Sequence, residues 1–117
     1  QIHVNIDAED INLDMDMAIP LGLITNELLS NSLKYAFQDK EGGEIYITFT
    51  EPEPGIYKLL VRDSGKGLDD NLDIENTKSL GLKLVRTLTR QINGNLKISS
   101  NPGATFEIDF SEQSLAA

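Results

Sequence analysis

Four polar residues in the segment NELLSNSLKYAF (Asn26 to Phe37) fall three or four positions apart: Glu27, Asn31, Lys34 and Tyr35. On a helix they share one face. The apolar residues Leu21, Ile24, Leu28, Leu29, Leu33 and Phe37 cover a wide arc, so protein covers most of this helix and the polar row is what remains. A carboxylate, a carboxamide, an ammonium and a phenol in one row can grip a polar ligand. They can equally be a solvated face with a Glu-to-Lys pairing, and taken alone that is the better reading.

Asp63 is the second candidate. In the strand from Ile56 to Asp63 the period of two puts Tyr57, Leu59, Val61 and Asp63 on one face. Ile56, Lys58, Leu60 and Arg62 take the other, more polar face. A carboxylate pointing the way of the apolar side must find donors. Two sources are open: the N–H groups of its own turn, Ser64-Gly65, or a ligand N–H such as an exocyclic amine. In the second case Gly65 and Gly67 let the backbone approach a flat ring. The third candidate is Ser79-Leu80-Gly81-Leu82. A glycine at a helix entry exposes backbone N–H groups at the positive end of the dipole, a seat for phosphate. Capping by Ser79 is the plainer alternative.

The elements that carry these residues follow from periodicity. Ile2 to Ile6 alternates like a half-buried strand, and Ile11 to Asp14 reads as a second short one. Pro20 suits the first turn of a helix that runs to about Phe37. Glu44 to Thr50 and Ile56 to Asp63 form a hairpin across the turn Pro52 to Gly55. A second helix spans about Leu80 to Ile92, with Lys83, Arg86 and Arg90 facing out and Gly94 at the position that stops it. Leu96 and Ile98, then Phe106, Ile108 and Phe110, mark two further strands around the turn Asn101-Pro102-Gly103. Adjacent strands with separate helices predict an α+β two-layer sandwich, with the helices on one face of a mixed β-sheet. Residues 1–110 form one domain in this reading, and 111–117 a frayed tail.

Composition narrows the functions. The 117 residues suit a single core. The absence of cysteine excludes disulfides and thiolate metal sites, and the lone histidine, His3, cannot build a zinc site. A net charge of -9 argues against a nucleic-acid partner but not against a nucleotide. No apolar run spans a bilayer, and no signal-peptide pattern opens the chain. Gln1 leads almost directly into strand-like sequence, so the chain reads as a piece of a longer protein. The expected location is cytoplasmic, including the cytoplasmic portion of a larger sensor.

The order NELLSNSLKYAF, DSGKG, SLGLKLV and NPGATFEIDF resembles the ATP-binding catalytic domain of two-component sensor histidine kinases, from about Ile2 to Phe110. That domain shares its superfamily with DNA gyrase, mismatch-repair ATPases and heat-shock chaperones. The first and third motifs look closest to the kinases with a variant phosphoacceptor helix. The resemblance implies a Bergerat-type fold and the ligands ATP and Mg²⁺. It implies that Asn31 holds Mg²⁺, that Lys34 contacts phosphate oxygens and that Tyr35 lies beside adenine or ribose. Asp63 would accept from the adenine amino group, with Gly65 and Gly67 shaping the pocket. Lys78, Gly81 and Leu82, at the end of the lid, would sit near the phosphates, and Thr105 would close the adenine side. Glu27, one turn before the metal Asn, would polarise a nucleophile or organise the Mg²⁺ shell through water.

Three departures from the family pattern stand out. Only Gly81 remains of the usual Gly-x-Gly before the second helix. The lid carries Asp69, Asp70, Asp73 and Glu75 against Lys78, and Gly103-Ala104-Thr105 replaces Gly-Gly-Thr. The implied partner is a histidine phosphoacceptor domain on the same or another chain, with a response regulator downstream. The fragment would be monomeric and the full protein dimeric. Two alternatives stay open: a serine kinase of the anti-sigma type, and a degenerate nucleotide-binding module that docks a partner.

Overall fold

The computed structural model describes residues 2–36, 42–65, 80–100 and 103–111. In chain order its elements are β1 (Ile2–Ala8), α1 (Met15–Asn31), a π-helical turn (Ser32–Ala36), β2 (Gly43–Glu53), β3 (Ile56–Asp63), α2 (Leu80–Gln91), β4 (Asn95–Ser100) and β5 (Ala104–Ser111). The strands form one sheet in the order β1-β2-β3-β5-β4. β1 runs parallel to β2, with α1 as the crossover, and the remaining pairs are antiparallel. The sheet is mixed, as expected.

Alternation decides which face is covered. Val61 pairs with Ile47 and Phe106, and Leu59 with Phe49 and Ile108. These side chains meet Met17, Leu21, Ile24 and Leu28 of α1, and Leu82, Val85, Leu88 and Ile92 at α2, in one buried core. Tyr57, Phe49 and Phe110 stack at one end of it, with ring centroids 5.3 to 6.2 Å apart. The other face of the sheet is polar. Lys97 lies 3.7 Å from both Glu107 and Asp109, Lys58 lies 3.7 Å from Glu107, and Arg62 stands over the Tyr46 ring. Such exposed pairs stabilise little. Their presence marks this face as solvated, so the architecture has two layers.

Four local expectations are corrected. Ile11 to Asp14 forms no strand; Ile11 and Leu13 instead pack loosely on the core. The first helix starts at Met15, which places Pro20 inside it rather than in its first turn. An interior proline forfeits a hydrogen bond. Burial of Met17, 1% exposed, and of Pro20 itself ties the upstream turn to the core and offsets that loss. Pro52 remains in β2, where the pairing slips between Thr50 and Glu53, and the tight turn falls on Gly55 at φ 80°. At the end of α2 the left-handed residue is Asn93 (φ 53°), not Gly94. Asn93 N–H donates to the Arg90 carbonyl and Gly94 N–H to the Thr89 carbonyl, a Schellman ending with asparagine in the turn. Gly94 is small for space, since a Cβ there would lie 3.1 Å from the Asp109 carbonyl oxygen.

Ser111 belongs to β5, so the domain's last strand runs one residue past the expected end, and 112–117 lie outside the described residues. Among the described residues no helix is long and apolar enough to cross a membrane.

Candidate functional site

Asp63 is the last residue of β3, on the face that alternation gives to the core, and it is 5% exposed. A carboxylate so placed needs its acceptor sites filled. Oδ1 accepts the Gly65 N–H at 2.9 Å and the Ala104 N–H at 3.2 Å. Oδ2 accepts the Ser32 hydroxyl at 3.0 Å. The local-turn reading of Asp63 therefore holds for Gly65, but two donors come from elsewhere in the chain. The π-helical turn, the end of β3 and the start of β5 converge on one carboxyl group. Each carboxylate oxygen has about two lone-pair sites. Among the described residues Oδ1 is full, and one site remains on Oδ2.

Backbone contacts hold this arrangement. Ser64 N–H donates to the Glu44 carbonyl, and Glu44 N–H donates to Ser64 Oγ, both at 2.9 Å, so the chain leaving β3 stays pinned to β2. Gly103 is buried against Asp63. A Cβ on Gly103 would collide with the Asp63 carbonyl oxygen and lie 3.0 Å from Oδ1. Only glycine lets β5 approach closely enough for the Ala104 N–H to reach the carboxylate.

The polar row of α1 survives in part. Glu27 and Asn31 are half-buried and one α-helical turn apart. The helix then widens into the π-helical turn, a feature often found at functional sites. The change of pitch breaks the expected phase. Leu33, expected on the covered arc, is 47% exposed, while Ser32, four residues after Leu28, keeps a buried position at 3% exposure. Lys34 is exposed, Tyr35 lies in the same turn, and Phe37 lies outside the described residues. Among the described residues, no hydrogen bond or ion pair engages the side chains of Glu27, Asn31 or Lys34.

The other candidates divide. Gly65 is at the site. Gly81 is in the first turn of α2, half-buried, at a helix N-terminus. Leu82 puts its side chain in the core beside Val85, 5% exposed. Thr105 pairs with Arg62 and alternates to the solvated face of the sheet, away from the Asp63 carboxylate. Its neighbour Ala104 is the residue that faces Asp63. Gly67 and Lys78 lie outside the described residues, as do Asp69, Asp70, Asp73 and Glu75.

Ser32 and Gly103 have site contacts that reading by hydropathy missed. The signal for Ser32 was its spacing: it lies four residues after the core residue Leu28, so an α-helix would already put it on the buried stripe. A hydroxyl there asks for a partner.

Comparison with known proteins gives one picture. Residues 17–114 match the family described as "Histidine kinase-, DNA gyrase B-, and HSP90-like ATPase". The chain is 28% identical over 109 residues to blue-light-activated histidine kinase 2 of Erythrobacter litoralis, covering 92% of the chain and 32% of that protein. It is 35% identical over 86 residues to the sensor histidine kinase PdtaS of Mycobacterium tuberculosis, covering 72% of the chain and 17% of that protein. The solved histidine kinase domain of the Erythrobacter litoralis EL346 kinase superposes with a TM-score of 0.90 at 26% identity, over 97% of this chain and 53% of that one. The chain thus spans 32% and 17% of the length of these two curated relatives.

Proposed function

This chain belongs to the histidine kinase-, DNA gyrase B- and HSP90-like ATPase family, and from that premise we propose that it binds ATP with Mg²⁺ and donates the γ-phosphate to a histidine on a separate phosphoacceptor domain. The supporting observation is the buried Asp63 carboxylate, clamped by three donors and with one lone pair left over among the described residues. An adenine amino group supplies the missing donor. The nucleotide then extends toward α1, where Asn31 sits beside Ser32 in the chain.

The metal fits this arrangement only as a companion of the nucleotide. Among the described residues no group of three His, Cys, Asp or Glu side chains could hold an ion. Mg²⁺ commonly binds through one or two protein ligands plus substrate phosphates. Asn31 provides a neutral oxygen that does not repel phosphate, and it has no competing partner among the described residues. When bound, Mg²⁺ neutralises phosphate charge. Lys34 is exposed in the same turn, and in this reading it meets phosphate oxygens. Glu27, one turn upstream, can accept a proton from the nucleophile or hold water of the metal shell. In the transfer an imidazole nitrogen attacks the γ-phosphorus, the bond to the β,γ-bridging oxygen breaks, and ADP leaves. His3 lies in β1 and is not the acceptor in this scheme.

The test is a mixture of this chain, ATP·Mg²⁺ and the parent protein's phosphoacceptor domain. Acid-labile, base-stable phosphate on the acceptor is the expected result. Acid-stable phosphate would instead favour a serine kinase. No label at all would contradict both. For the metal, Asn31→Ala is expected to keep Mg²⁺-free ADP affinity within about twofold and to remove the gain that Mg²⁺ brings. A surviving gain would assign the metal to another residue.

A further inference from the structure

We infer that Ser32 is a positioning residue that sets base selectivity, by fixing the direction in which Asp63 offers its last lone pair. The inference rests on the nucleotide reading above. Ser32 is 3% exposed, and its hydroxyl donates to Oδ2 of Asp63. Both backbone donors, Gly65 and Ala104, act on Oδ1. Without Ser32 the carboxylate is held at one oxygen only. Oδ2 would then have two open sites and freedom to rock about its anchored partner. With Ser32 in place a single site remains among the described residues, and its direction is set before any ligand arrives. Preorganisation of this kind removes an ordering cost from binding, and a charge-assisted hydrogen bond depends steeply on alignment.

The chemistry selected follows from the donor count. The Ser32 hydrogen is committed to Oδ2, so this wall of the site presents acceptors and no hydrogen of its own. A purine with an amine at C6 satisfies it. A purine with only hydrogen at C6 leaves it unfilled, and a 6-oxo purine sets acceptor against acceptor. The location also matters. Ser32 opens the π-helical turn directly after Asn31, so consecutive residues set the base end and the metal end of one ligand.

The experiment compares two probes by calorimetry on the whole chain: ADP, and purine riboside 5′-diphosphate, which lacks the 6-amino group. Wild type is expected to prefer ADP. Ser32→Ala is expected to weaken ADP by about tenfold while leaving the analogue within about twofold. Equal loss on both probes would make Ser32 merely structural and overturn the inference, and so would no loss on either. Circular dichroism checks that the variant folds. If it does not, the pair Ser32→Thr and Ser32→Val, near-equal in shape, gives the same contrast. Threonine keeps the hydroxyl and must keep the preference for ADP, whereas valine must lose it. Wild type that binds neither probe would remove the nucleotide reading itself. Wild type that binds ADP with unchanged selectivity in Ser32→Ala would remove this inference alone.

Discussion

Asp63→Asn is expected to weaken ADP binding by about a hundredfold and to shift preference toward 6-oxo purines. The size of the effect comes from a forced orientation. Gly65 and Ala104 both aim N–H groups at the Oδ1 position. An asparagine must turn its carbonyl oxygen there, because two donors facing an NH₂ would leave buried groups unpaired. The NH₂ then occupies the Oδ2 position. The Ser32 hydroxyl, now 3.0 Å from a donor, rotates to accept. The wall that offered an acceptor to the base now offers a hydrogen. The adenine amine meets a like donor, while the oxygen of guanine or hypoxanthine meets a partner. Parallel titrations with ADP and GDP read both parts. Unchanged affinity and unchanged preference would remove Asp63 from the base site.

Gly103→Ala is expected to lower stability by about 3 kcal/mol and to weaken ADP in the same variant. The added methyl would collide with the Asp63 carbonyl oxygen, and it would lie 2.8 Å from the carbonyl carbon. The obstruction is backbone, so no side-chain rotation relieves it. Relief requires β5 to move away from β3 at its first residue. That movement lengthens the Ala104 N–H contact to Oδ1 and loosens the pairing of Thr105 with Arg62. Urea unfolding of the variant beside wild type measures the stability term. An unchanged midpoint would show that the two strands do not approach as closely as described.

Asp63 was legible in the sequence because β3 keeps a strict period of two, and the same alternation that buries Tyr57, Leu59 and Val61 turns the aspartate inward. The need for donors followed from that position alone. The identity of two of the donors did not. The Ser32 and Ala104 contacts to Asp63 span 31 and 41 residues, and only tertiary packing brings them together. Periodicity arguments also assume one pitch per helix. The polar row of α1 was drawn at α-helical spacing through Tyr35, but the π-helical turn begins at Ser32 and changes which residues are covered. Nothing in the composition of Ser32 to Ala36 announces that change.

Thr105 shows a different limit. A strand's two faces are assigned by parity, and parity depends on where the strand is anchored. Phe106, Ile108 and Phe110 were in phase on the core side, which already put Thr105 on the solvated face. The family resemblance pulled it toward the adenine side, and the residue count within β5 favours Ala104 instead. At the start of α1, local chemistry favoured Pro20 as an opening residue, whereas burial of Met17 extends the helix upstream through it. At Pro20 packing overrides a rule that treats the chain one segment at a time, whereas at Thr105 the segment's own alternation holds. The sheet, the helix layer and their shared core were read correctly because the apolar periods agree along the whole chain.

Nucleotide binding by this chain is read by isothermal titration calorimetry with ADP, in the presence and absence of Mg²⁺. Binding to a single site is expected in both conditions, tighter with Mg²⁺. Folded protein that takes up no heat from ADP in either condition would contradict it, and the chain would then have to use this fold to dock a partner rather than a nucleotide.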